Sequence, residues 1–152
     1  MYRRYLAIAI GVLALAGFAL GCGSDDGGEA LTKAEFVEQG DAACKEANDQ
    51  GQKEMVAFIA ENSQNSKLSG TSEEEAVETI IVPLIEAQVE ALDDLQPPEG
   101  DEEQVEAIVG SLEDLQDEGE ADPAALAGTY APFGPSKKLA IAYGFKRCGS
   151  NI

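Results

Sequence analysis

Across residues 36–143 apolar side chains recur at helical spacing, in runs that open on capping signals, and no segment alternates like a strand between hairpin turns. That pattern confines the chain to an all-helical fold. The first run opens at Thr32-Lys33-Ala34-Glu35, a capping box with Thr32 at N-cap and Glu35 at N3, and Leu31 is placed to staple onto Phe36. Phe36, Gly40, Ala43, Ala47, Met55 and Phe58 mark one face, with Val37, Cys44 and Ile59 beside them, and the helix is expected to end between Ala60 and Asn62. Gly40 and Gly51 each weaken it by about 1 kcal/mol relative to alanine, and either would let a neighbouring helix come close.

A polar stretch over 62–70 leads to a second helix, where both Thr71…Glu74 and Ser72…Glu75 satisfy the capping box. Its stripe is Val77, Ile80, Ile81, Leu84, Ile85, Val89, Leu92 and Leu95. Pro83 falls inside it, removes one backbone hydrogen bond and opposes the carbonyl of Thr79, so a kink is expected there, a break into two helices being the other reading. Pro97-Pro98 ends the element. Asp101, with Gln104 at N3, opens a third helix striped by Val105, Ile108, Val109, Leu112 and Leu115 and ending near Gly119. Asp122-Pro123, an N-cap followed by proline at N1, starts a short helix reaching about Tyr130. After an interruption over 130–135, Ser136 opens the last helix through Leu139, Ile141 and Tyr143. Gly144 then serves as a left-handed C-cap, and Phe145 folds back onto Leu139 or Ala140. Short loops between amphipathic helices predict an antiparallel bundle of four to five helices.

The N-terminus reads differently. Arg3 and Arg4 precede a 15-residue apolar run over 6–20, short for a membrane-spanning helix, which needs about 20 residues. Ala19-Leu20-Gly21-Cys22 resembles a bacterial lipobox with the leucine and the small residue exchanged. Residues 1–21 are therefore expected to be a lipoprotein signal peptide, cleaved behind Gly21 and leaving Cys22 acylated. Ala19 and Gly21 also fit ordinary signal cleavage, and an uncleaved anchor is a third reading. Residues 22–30 form a flexible acidic linker with a reach of about 15 Å, followed by the helical domain over 31–152.

The chain carries a net charge of −19, and loss of Arg3 and Arg4 would leave eight basic against 29 acidic side chains, a net −21. Such a surface repels phosphates, so nucleic acid is excluded as a partner. The same reasoning excludes adhesion to the membrane through basic patches, leaving the acyl chains on Cys22 as the attachment. With Cys22 acylated, Cys44 and Cys148 remain, and outside the cytoplasm two such cysteines usually pair. Free-thiol catalysis is the competing reading, and it lacks a histidine to activate the thiolate.

Histidine is absent throughout. That removes Ser-His-Asp and Cys-His hydrolysis, His-ligated haem, ordinary catalytic zinc sites and Glu-x-x-His di-iron centres. No phosphate-binding glycine loop, Cys-x-x-Cys or Gly-x-Ser-x-Gly motif occurs. The acids of Glu73-Glu74-Glu75 and Asp101-Glu102-Glu103 fall in first helical turns, where they complement the helix dipole. Asp114, Asp117, Glu118, Glu120 and Asp122 gather around an expected turn at Gly119 without EF-hand spacing, so no specific metal site is assigned. Tyr130, Phe133, Tyr143 and Phe145 could line a small apolar pocket or close the core beside the cysteines.

The segments LTKAEFVEQGDAACKEAN, LDDLQPPEG and YGFKRCG, together with the lipobox and the acidic linker, resemble uncharacterised small lipoproteins of high-GC Gram-positive bacteria. The resemblance covers nearly all of the chain after residue 21. It implies a paired-cysteine helical bundle outside the cytoplasm, on the outer face of the cell membrane, and brings no activity with it. The expectation is a non-enzymatic binding or interaction module without cofactor, engaging a partner in the cell envelope. A carboxylate-based hydrolase and a purely structural envelope component are the alternatives.

Overall fold

The computed structural model describes residues 31–62, 68–127 and 133–150; the expected signal peptide, the linker, Cys22 and Tyr130 lie outside them. Six α-helices are present: α1 (Lys33–Asn62), α2 (Gly70–Ala76), α3 (Val82–Asp93), α4 (Glu102–Ala121), α5 (Pro123–Ala127) and α6 (Gly134–Tyr143). A π turn over Val77–Ile81 joins α2 to α3, so 70–93 is one uninterrupted helical run and the described residues hold five helices in all. No strand occurs among the described residues.

Local signals account for several helix ends. The Glu35 amide donates to Thr32 Oγ1 at 3.3 Å, and the Thr32 amide donates back to Glu35 Oε2 at 3.0 Å, which completes the capping box. The Thr32 hydroxyl, which donates to Glu35 Oε2 at 2.6 Å, and then the Thr32 amide hold the Glu35 carboxyl below its ordinary pKa. At Asp122, Oδ1 accepts from the Ala125 amide at 3.0 Å, and Pro123 opens α5. Gly144 adopts φ +131, and the Gly144 and Phe145 amides both donate to the Ala140 carbonyl, at 3.0 and 2.9 Å.

Four expectations are corrected or refined. The second helix starts at Gly70 rather than after Thr71 or Ser72. Ser69, extended at φ −85 and ψ 163, is the N-cap, and its hydroxyl accepts from the Ser72 amide. Pro83 does not split the helix. The preceding π turn shifts the ladder so that the Val82 amide bonds to the Val77 carbonyl, five residues back, and Pro83 falls in the first turn of α3, where a missing N–H costs least. The third helix runs two residues past Gly119, to Ala121, and Gly119 serves as a close contact inside it: a Cβ there would lie 2.8 Å from Val82 Cγ2 and 2.9 Å from Leu126 Cδ2. Finally, α6 starts at Gly134, and Leu139 and Ile141 are exposed. Ser136, Ala140 and Tyr143, at i, i+4 and i+7, form the inward face.

The core is centred on Phe36, Ile85, Leu92, Ile108 and Leu112, all fully buried. α3 lies between α1 and α4, α6 packs on α4, and α2 packs on α5. Gly40 does for α1 what Gly119 does for α4: a Cβ there would meet Phe145 Cε1 at 2.7 Å and Leu92 Cδ2 at 3.1 Å. Cys44 on α1 and Cys148 after α6 form a disulfide with Cα atoms 5.1 Å apart, closing a sequence separation of 104 residues.

Candidate functional site

Asp101 was expected to cap α4, yet its side chain accepts no hydrogen bond from the first-turn amides. It is drawn into a junction of three helix ends instead. Its Oδ2 accepts from the Tyr143 hydroxyl at 3.0 Å and faces Lys33 Nζ at 3.3 Å, while Oδ1 accepts from Gln104 Nε2 at 3.2 Å. Lys33 Nζ also sits 3.8 Å from the centroid of the Tyr143 ring. Burial, the hydrogen bond to Asp101 and the Asp101 charge together push the Tyr143 phenol well above its ordinary value. This junction fastens the start of α1 to the end of α6.

The described aromatic residues of the expected pocket are used for packing. Phe133, Tyr143 and Phe145 are buried in the main core. The Tyr143 and Phe145 ring centroids are 5.4 Å apart, and Phe36 lies 6.1 Å from the first and 5.8 Å from the second. These three rings close the core around Gly40, the closing role that was the alternative to a pocket.

Beyond Phe145 the chain forms a strap across α1 and α3, held by residues that sequence reasoning did not single out. Asp41 accepts from the Lys146 amide at 2.9 Å and the Arg147 amide at 2.7 Å. Gln88 is fully buried: its Oε1 accepts from the Gly149 amide at 2.8 Å, and its Nε2 donates to the Ser150 carbonyl at 2.9 Å and to Asn48 Oδ1 at 3.0 Å. Asn48 in turn donates to the Arg147 carbonyl at 3.0 Å. The signal for Gln88 was available. It interrupts the apolar stripe at i+4 from Leu84 and i−4 from Leu92, a position that faces the core and demands partners.

The acids expected in a turn at Gly119 are not in one. Asp114, Asp117, Glu118 and Glu120 lie exposed on α4, and Asp122 caps α5. Among the described residues no three carboxylates or cysteines converge as a metal site would require.

A concavity between α3 and α4 combines apolar groups with acids and has no basic side chain in its lining, unlike the similar-sized hollow beside Lys45, Asp49 and Lys53. It is a surface groove of about 500 Å³ whose floor includes Leu92, Leu95, Pro97, Val105, Val109 and Gly110. Asp93, Glu102, Glu106 and Glu113 edge it, all exposed. The groove offers apolar contact surrounded by negative charge. No helix among the described residues is long and apolar enough to cross a membrane. No protein-family model, curated protein or solved structure matches the chain.

Proposed function

We propose that this chain is an extracytoplasmic binding module, anchored to the outer face of the cell membrane by acyl chains on Cys22, of the small-lipoprotein kind its segments resemble. Its helices form an antiparallel bundle, a reading supported by the eight-residue connection between α3 and α4 over 94–101 and by the packing of α3 against both α1 and α4. The observation that carries the binding role is the α3–α4 groove, with its apolar floor and four exposed carboxylates. That combination suits an envelope protein offering a segment that is both basic and apolar. The disulfide supports a working place outside the cytoplasm, where such bonds persist. The exposure of the groove carboxylates favours binding over carboxylate-based hydrolysis.

Crosslinking in the native membrane tests the role. Glu102→Lys with Glu106→Lys should abolish capture of the main crosslinked partner and leave the helical content unchanged. Undiminished capture would remove the groove from the proposal. Anchorage is tested separately: Cys22→Ala should move the protein from the detergent phase to the aqueous phase. Wild-type protein already in the aqueous phase would refute it.

A further inference from the structure

The charge of this chain is segregated along its length. All 29 acidic side chains occur at or before Asp122; residues 123–152 contain none and carry Lys137, Lys138, Lys146 and Arg147. Lys137 and Lys138 lie on α6 and Lys146 and Arg147 on the strap that follows it, and all four are exposed and outside any ion pair among the described residues. Two large apolar side chains stand exposed on the same helix, Leu139 at 39 % and Ile141 at 58 %. At about 100° per residue, Lys138 falls between Ile141 and Ala142 on the side of α6 opposite the buried Ser136, Ala140 and Tyr143. An outer helix face that is apolar and cationic is the composition that settles into a headgroup layer. Two acids of α1 lie beside the strap: Asp41 accepts from its amides, and Asp49 is paired with Lys45, whose hydrogen bond, followed by the charges of Lys45, Lys53 and Arg147, holds the carboxyl below its ordinary pKa.

We infer that the outer face of α6, which carries Lys137, Lys138 and Ile141, is a docking surface for anionic lipid headgroups. This reading departs from the expectation drawn from net charge, which averages over the whole surface. Screening limits each charge to a neighbourhood of about 8 Å at physiological ionic strength, so carboxylates farther away than that weaken the α6 cations little, while Asp41 and Asp49 lie beside the strap. The position is consistent with the anchor. Lys33, the first residue of α1, touches the Tyr143 ring, which puts the start of α1 at the C-terminal end of α6, and an acylated Cys22 would tether the protein from that end. That part of the argument rests on the lipid-anchor reading above. Tethering raises the effective concentration of headgroups, so a face too weak to hold the protein alone still orients it. Docking on α6 directs the acidic remainder away from a negative membrane.

The chain contains no tryptophan, so a single Trp reports one position. Product of the full-length gene, from whichever fraction holds it, is prepared as Ile141→Trp and, separately, as Val56→Trp, a site 64 % exposed near the far end of α1. Each is mixed with vesicles of phosphatidylglycerol and brominated phosphatidylcholine, and with vesicles of brominated phosphatidylcholine alone. The inference expects Ile141→Trp emission to shift to the blue and fall by roughly half with phosphatidylglycerol only, and Val56→Trp emission to stay unchanged. Adding Lys137→Glu and Lys138→Glu, or 1 M salt with its Debye length of about 3 Å, should restore the emission. An unquenched Ile141→Trp, equal quenching at both positions, or equal quenching without phosphatidylglycerol overturns it. A shift that tracks protein concentration without vesicles assigns the face to a second copy of the chain and overturns it too. Flotation in 1 M salt reports the anchor separately. Protein that floats there with Ile141→Trp unquenched at low salt keeps the anchor and loses the docking face. Protein that does not float but is quenched at low salt keeps the face and loses the anchor.

Discussion

Two glycines of α4 should respond to the same substitution with opposite signs. Alanine in a helix interior is favoured over glycine by about 1 kcal/mol. At Gly110 nothing lies within 4 Å of an added Cβ, so Gly110→Ala should gain most of that amount. At Gly119 the added methyl would lie 2.8 Å from Val82 Cγ2 and 2.9 Å from Leu126 Cδ2, distances that real Cβ atoms do not tolerate. Val82 is β-branched within a helix and cannot turn away cheaply, so α5 or α3 must move. Overpacking of this kind costs about 1–3 kcal/mol, which outweighs the helix gain and leaves Gly119→Ala destabilised by about 1 kcal/mol. The two variants should thus differ by about 2 kcal/mol. Thermal unfolding with the disulfide intact should show Gly119→Ala melting about 3–5 °C below wild type and Gly110→Ala above it. A Gly119→Ala variant as stable as Gly110→Ala would show that α4 does not approach Val82 and Leu126 as closely as argued.

Further tests address the strap and the junction. Gln88→Leu keeps the volume but strands the Gly149 amide and the Ser150 carbonyl; it should cost about 2–3 kcal/mol in urea unfolding, and wild-type stability would refute the role of Gln88. Replacing Cys44 and Cys148 together by alanine releases the 104-residue separation and should lower stability by at most about 4–5 kcal/mol, a loss that reductant must reproduce in wild type. The Tyr143 phenol is held above its ordinary value, so the folded chain retains a proton that the unfolded chain releases. Its contribution is complete below about pH 10 and declines as pH rises beyond that. Tyr143→Phe should flatten the alkaline decline, and an unchanged decline would refute the assignment.

What the sequence determined by itself is the set of features decided within a few residues of chain. The Thr32–Glu35 capping box, the Asp122-Pro123 start and the Gly144 stop depend on hydrogen bonds reaching at most five positions, and all three form. The helical class follows from the period of the apolar residues, and the disulfide from having two cysteines left once Cys22 is set aside. The tertiary structure decided everything that depends on a partner distant in the chain. Pro83 is absorbed by a π turn just before α3, which packs on both α1 and α4. Gly119 became a close contact because Val82 and Leu126 arrive from other helices. Asp101 gave up its cap for Tyr143 and Lys33, and Asp41, Asn48 and Gln88 acquired their roles only when the strap crossed them. The direction that α6 faces belongs to the same class. Leu139 and Ile141 are apolar enough for a core, and only packing on α4 through Ser136, Ala140 and Tyr143 turned them outward beside the cations. A local signal needs only neighbours along the chain, whereas each of these outcomes waits on a surface that exists only after folding.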